Sequence, residues 1–98
     1  MRGVKLLKVI KSPKPEKKYR AIFQRDNGKE FHRDFGAAGM DDYTLTHDKE
    51  QRARYRSRHS KDLKDDTTTP GYLSYYILWG ESTSVADNIA SYKRRFGL

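Results

Sequence analysis

Apolar and polar residues alternate through the first third of the chain, and the alternation then gives way to a helical period. Val4, Leu6, Leu7, Val9 and Ile10 sit among lysines until Ser12, Pro13 and Pro15 break the run, which predicts a strand over 4–10 and then a loop. From Lys18 to Gln24, Tyr19, Ala21 and Phe23 fall on one face and Arg20, Ile22 and Gln24 on the other. Asp26, Asn27 and Gly28 offer the positive-φ residues of a tight turn, and Phe31, Arg33 and Phe35 alternate once more. The second and third strands should form a hairpin, completing a three-stranded antiparallel meander.

Gly36 and Gly39 end the third strand, and a loop is expected through Tyr43. Thr46 can cap a helix over 47–60, with Asp48 and Glu50 in its first turn where the dipole favours them. A polar loop over 62–69 leads to Thr69-Pro70, an N-cap followed by proline at the first helical position. That opens a short segment with Leu73, Tyr76 and Ile77 at helical spacing, stopped by Gly80. Ser84 and Asp87 resemble a capping box, and Val85, Ile89, Tyr92 and Phe96 form one apolar stripe of a last helix. The expected fold is α+β: a meander, a basic helix and two C-terminal helices in one small basic domain spanning 1–98.

Charge changes the picture from a fold to a partner. Lys plus Arg number 21 against 13 Asp plus Glu, a net charge of +8, which favours nucleic acid, anionic membrane or acidic protein surfaces. Four of the seven residues from Arg52 to Arg58 are arginine: Arg52, Arg54, Arg56 and Arg58. As a helix they form two like-charged i,i+4 pairs, which oppose the helix unless a polyanion or carboxylates neutralise them. Lys17, Lys18 and Arg20, within a lysine-rich stretch that includes Lys8, Lys11 and Lys14, and Lys93 and Arg94 in the last turn extend the candidate phosphate-binding surface. The alternative is a solvated face whose charges pair with Asp48, Glu50, Asp62, Asp65 and Asp66.

Tyr72, Tyr75, Tyr76 and Trp79 crowd one stretch. With few other large apolar residues in the chain, most of these rings belong in the core, and whichever of Tyr72 and Tyr75 faces outward is the interface candidate. The absence of cysteine excludes disulfides and Cys-based zinc sites. His32 with Asp34, and His47-Asp48 with Asp41-Asp42, fit surface hydrogen bonding and capping better than a catalytic or metal site. No phosphate-binding glycine motif is present, so no enzyme, cofactor or metal is expected. The start MRGVKLLKVI is interrupted by Lys5 and Lys8 and reads as neither signal peptide nor membrane span, so a soluble, unexported protein without membrane partners is expected.

Four motifs in order carry a resemblance: FGAAGMDDYTLTHD (Phe35 to Asp48), YRSRH (Tyr55 to His59), TPGYLSYYILWG (Thr69 to Gly80) and YKRRF (Tyr92 to Phe96). Together they resemble a small domain family of unknown function encoded by large nucleocytoplasmic DNA viruses. The likeness covers roughly residues 4 to 96, and the extra residue in YTLTH before His47 is its one departure. It implies a virus-encoded protein located in the virion or in a viral factory of the host cytoplasm, and it draws attention to Tyr43, Tyr55, Arg58, His59, Leu73, Trp79, Tyr92 and Phe96. Two functions are expected on these grounds: binding of nucleic acid through its phosphate backbone, in genome packaging or a viral factory, or a minor capsid or other virion protein making protein contacts.

Overall fold

The computed structural model describes residues 3–63 and 65–98; Lys64, within the loop expected over 62–69, lies outside them. Strand β2 (Lys17–Arg25) is the centre of an antiparallel sheet, flanked by β1 (Val4–Lys11) and β3 (Glu30–Ala37). Its alternation has the expected physical result: Ala21 and Phe23 are fully buried, while Ile22 between them is only partly covered. Phe23 faces Leu6 on β1 and Phe31 on β3, and stacks on Phe31 at 5.1 Å between ring centroids. Burying a phenylalanine completely contributes about 1.5–3 kcal/mol, so Phe23 and Phe35 anchor the sheet's inner face.

Adjacent Leu6 and Leu7 interrupt the alternation in β1, and the register shifts there by one residue. The bulge turns Leu7 outward, 43% exposed, and brings Val9 opposite Ala21, so that apolar residues on both sides of the irregularity face the core. In the hairpin between β2 and β3 only Gly28 takes a positive φ, at 84°; Asp26 and Asn27 do not, and the Asn27 side chain instead accepts from the Lys29 amide at 3.0 Å.

The chain after the sheet corrects two expectations. Tyr43 does not lie in a loop: it opens a helical turn, α1 (Tyr43–Thr46), capped by Asp42, and His47 ends that turn in the left-handed region at φ 56°. Because His47 has left the helical region, the arginine helix α2 (Lys49–His59) begins two residues later than expected. Its cap is Asp48, which accepts from the amides of Glu50 and Gln51 at 3.0 and 3.1 Å, and not Thr46, which hydrogen-bonds Gln51 from outside.

Thr69 and Pro70 do open a helix, α3 (Pro70–Leu73), which continues through a π turn, Ser74–Leu78. Gly80 follows for a reason other than dihedral freedom. A Cβ there would sit 2.3 Å from the Tyr76 carbonyl oxygen and 2.8 Å from the Asn88 side chain, so glycine is what lets these two approach. Asn88 on α4 (Val85–Phe96) donates to the carbonyls of Ile77 and Ser82 at 2.8 and 2.7 Å and accepts from the Ser82 amide, supplying polar partners in a place closed to water. Ser84 caps α4 by accepting from the Asp87 amide, but the return half of the box is absent, because the Ser84 amide donates to the Ser82 hydroxyl. Leu73, Ile77, Leu78, Trp79 and Tyr92 close over the inner face of the sheet, so the fold is α+β, a three-stranded meander followed by helices.

Candidate nucleic-acid interface

Helix α2 has no fully buried residue and no apolar stripe, so ordinary helix packing cannot hold it. Two of its arginines do so instead. The chain that ends α3 and the π turn leaves carbonyls without helical partners, and the negative end of the dipole favours a cation beside them. Arg56 donates to the carbonyls of Tyr75 and Trp79 at 3.1 and 2.8 Å, and its guanidinium lies 4.0 Å from the centre of the Tyr75 ring. Arg52 donates to the Gly80 carbonyl at 2.6 Å and lies over the Tyr43 ring. Burial pushes the Arg56 guanidinium below its ordinary value, although an arginine keeps its charge at any physiological pH. Tyr55 completes the attachment by stacking on Trp79 at 4.3 Å with the rings 8° apart, and on its other side on His59 at 4.2 Å.

The remaining pair, Arg54 and Arg58, points to solvent. Among the described residues no carboxylate lies within ion-pair distance of any arginine of α2, so the acidic partners considered for them do not neutralise this helix.

Arg58 stands on the rim of a cleft of about 490 Å³ between α2 and the loop after β3. Its walls include Tyr55, His59 and Trp79 from the ladder of rings, Gln51 and Ser74, and the backbone of Gly39. His59 ends the ladder; its side chain is 42% exposed and its Nδ1 is 3.0 Å from an Asp62 carboxylate oxygen. A second hollow, of about 560 Å³, opens on the other side of the same loop and is lined by Lys11, Lys14 and Lys17 together with Leu45. Lys18, Gly39 and Asp42 line both. Lys18 is the pin between them: its ammonium donates to the Met40 carbonyl and to buried Asp42, which also caps α1.

The structure therefore divides the residues predicted to meet phosphate. Arg54, Arg58 and Lys17 are exposed, and Arg58 and Lys17 stand on the two hollows. Arg52, Arg56 and Lys18 are engaged inside the molecule. Arg20 is engaged too, gripping Asp34 with two hydrogen bonds at 2.9 and 3.1 Å. That grip, with the Ser12 hydroxyl, holds the Asp34 carboxyl at about 2, well below the usual carboxylate range. Lys93 and Arg94 line neither hollow, and Arg94 reaches the Ser91 hydroxyl on its own helix.

Of the two interface candidates, Tyr75 is 8% exposed beneath Arg56, which removes it from the surface; Tyr72 is half-buried, stacked on Tyr76 and edge-on to Phe96. His32 lies 3.9 Å from Asp34 on the outer face of the sheet, His47 ends α1, and among the described residues no three His, Asp or Glu side chains are grouped to hold a metal ion. Gln51 and Ser74 were missed as site residues. Gln51 lies four residues before Tyr55, a helical spacing that places the two on one face, whereas nothing in the sequence around Ser74 marks it.

These features define a small basic α+β protein with a ring-lined cleft beside a lysine-lined hollow. The chain belongs to the family of unknown function DUF5754, whose model matches residues 7–59, more than half of the 98. The matched span runs from β1 through α2 and so contains both walls of the lysine hollow and the arginine helix. Comparison with curated proteins and with solved structures finds no match.

Proposed function

We propose that this is a non-enzymatic, virus-encoded protein that binds nucleic acid mainly through the phosphate backbone, in genome packaging or in a viral factory. The observation that carries the reading is a set of cations on one stretch of surface: Arg58 at the cleft, with Lys11 and Lys17 at the adjoining hollow, none of them ion-paired among the described residues, and beside them Lys14, which lies 3.8 Å from the Asp34 carboxylate. A net charge of +8 adds a long-range field that draws a polyanion to them. Lysine and arginine neutralise phosphates and release condensed counterions, so affinity should fall steeply as salt rises. The viral origin is supported by the four ordered motifs and extends the family assignment.

A virion structural protein is the second reading, and a specific observation favours it: Met40 and Leu45 are 63% and 64% exposed on the loop and helical turn between the two hollows. Exposed apolar side chains ringed by lysines suit an acidic protein surface. The readings separate on competition. Heparin and salt should displace a nucleic acid bound at the lysines, whereas a capsid contact would need its specific partner, would persist in purified, nucleic-acid-free shells and would be lost on Met40→Ser with Leu45→Ser.

A further inference from the structure

We infer that the polynucleotide bound here is a single strand, with one of its bases held in the cleft against His59 and the adjoining phosphates on Lys11 and Lys17. The inference rests on the phosphate-binding reading above and adds the form of the ligand. Three observations carry it. The first is the ladder Trp79–Tyr55–His59: the rings are 4.3 and 4.2 Å apart, and the outermost, His59, is still 42% exposed at its side chain. A base laid on His59 continues that stack, and stacking is indifferent to base identity because every base has a π face.

The second is size and lining. A cleft of about 490 Å³ lies within the range that encloses a small ligand; the Gln51 amide, the Ser74 hydroxyl and the Arg58 guanidinium on its walls suit the edge of a base and a phosphate at the rim, while of the two carboxylates that also line it Asp42 is paired with Lys18 and Asp41 leaves the phosphates better placed on the lysine side. A duplex keeps its bases paired and stacked within itself, so it offers such a cleft only phosphates. The third is continuity. Lys18, Gly39 and Asp42 form the wall shared by cleft and lysine hollow, so a strand crossing this loop meets the cations on one side and the ring ladder on the other. A stacking platform beside a cationic track is the pattern by which proteins hold unpaired strands.

Trp79 is the chain's one tryptophan and lines the cleft, so its emission reports occupancy without a label. The test uses the full chain with oligothymidylate, oligouridylate, a duplex of equal length and a free thymidine nucleotide, each titrated at low and moderate salt with Trp79 emission and anisotropy recorded together. At least one of the two strands should bind about tenfold more tightly than the duplex and alter Trp79 emission, which the duplex leaves unchanged. His59→Ala should weaken the strand about tenfold while sparing the duplex, since one stacked base is lost. Arg58→Ala, an exposed substitution that cannot disturb packing, should also weaken the strand and lower its salt slope. Equal affinity for strands and duplex with Trp79 emission unmoved would overturn the inference and leave phosphate binding standing. A free nucleotide that matches the strand's affinity would overturn it in favour of a mononucleotide site. No binding of any of these at low salt would overturn the phosphate-binding reading itself.

Discussion

Two pairs of arginines on one eleven-residue helix have opposite surroundings. Arg52 and Arg56 face the protein and hold three backbone carbonyls, of Tyr75 within the π turn and of Trp79 and Gly80 just after it; Arg54 and Arg58, turned about 200° away by the helical period, face water without a carboxylate partner among the described residues. The residue type is the same, yet one pair supplies the packing that α2 lacks in apolar side chains and the other leaves charge available to a ligand. A run of basic residues is therefore not one surface. Helical phase splits it into a structural half and a half free to bind.

The comparison breaks or sharpens under substitution. On the structural side the largest effect is expected from Asn88→Ala, which strands the buried Ile77 carbonyl and the half-buried carbonyl and amide of Ser82; the loss should be about 3 kcal/mol, read as a shifted urea midpoint at constant slope. Arg56→Ala comes next, at about 2–3 kcal/mol for two charge-assisted hydrogen bonds and a ring contact, and Arg56→Lys should recover less than half of it because an ammonium lacks the planar fork. Gly80→Ala should cost about 1–3 kcal/mol, since the new methyl group must displace either the Tyr76 carbonyl or the Asn88 amide. If Arg54→Ala or Arg58→Ala destabilised the fold as much as Arg56→Ala, the division of the helix would be wrong; each should stay within about 0.5 kcal/mol.

Arg20 supplies a smaller and pH-dependent test of what a committed arginine does. Its partner Asp34 titrates at about 2 in the folded protein against 3.8 as a free side chain. A depressed carboxyl stabilises the fold above its unfolded value, so this contribution should be intact above about pH 4 and fade as the pH falls toward about 2. Thermal melting followed down that range should flatten in Asp34→Asn, and an identical acid profile in the two proteins would show that the pair does not contribute.

How much of this was legible in the sequence follows from which groups make each contact. The meander and the caps at Thr69 and Ser84 were legible, because side-chain alternation and capping residues are written in the residues themselves. The bulge in β1 left a trace, the adjacent Leu6 and Leu7. The phase difference between Arg52/Arg56 and Arg54/Arg58 was also legible, but which pair turns inward was not. The groups that claim Arg52 and Arg56 are carbonyls of Tyr75, Trp79 and Gly80, and a backbone carbonyl has no sequence signature. Which of Tyr72 and Tyr75 faces outward was not legible for the same reason, since Arg56 held on those carbonyls covers Tyr75. The motifs around Tyr55, Arg58, His59 and Trp79 named the cleft's walls without showing that they converge.

The most direct test of the account is the slope of log affinity for an oligonucleotide against log salt, measured for the wild type and for Arg54→Ala combined with Arg58→Ala. Each lost phosphate contact should lower the slope by about 0.7 on a single strand or about 0.9 on duplex, so the double variant should lose between one and two units while melting like the wild type. A slope unchanged by the double substitution would contradict the claim that the outer arginines of α2 are the ones that meet phosphate.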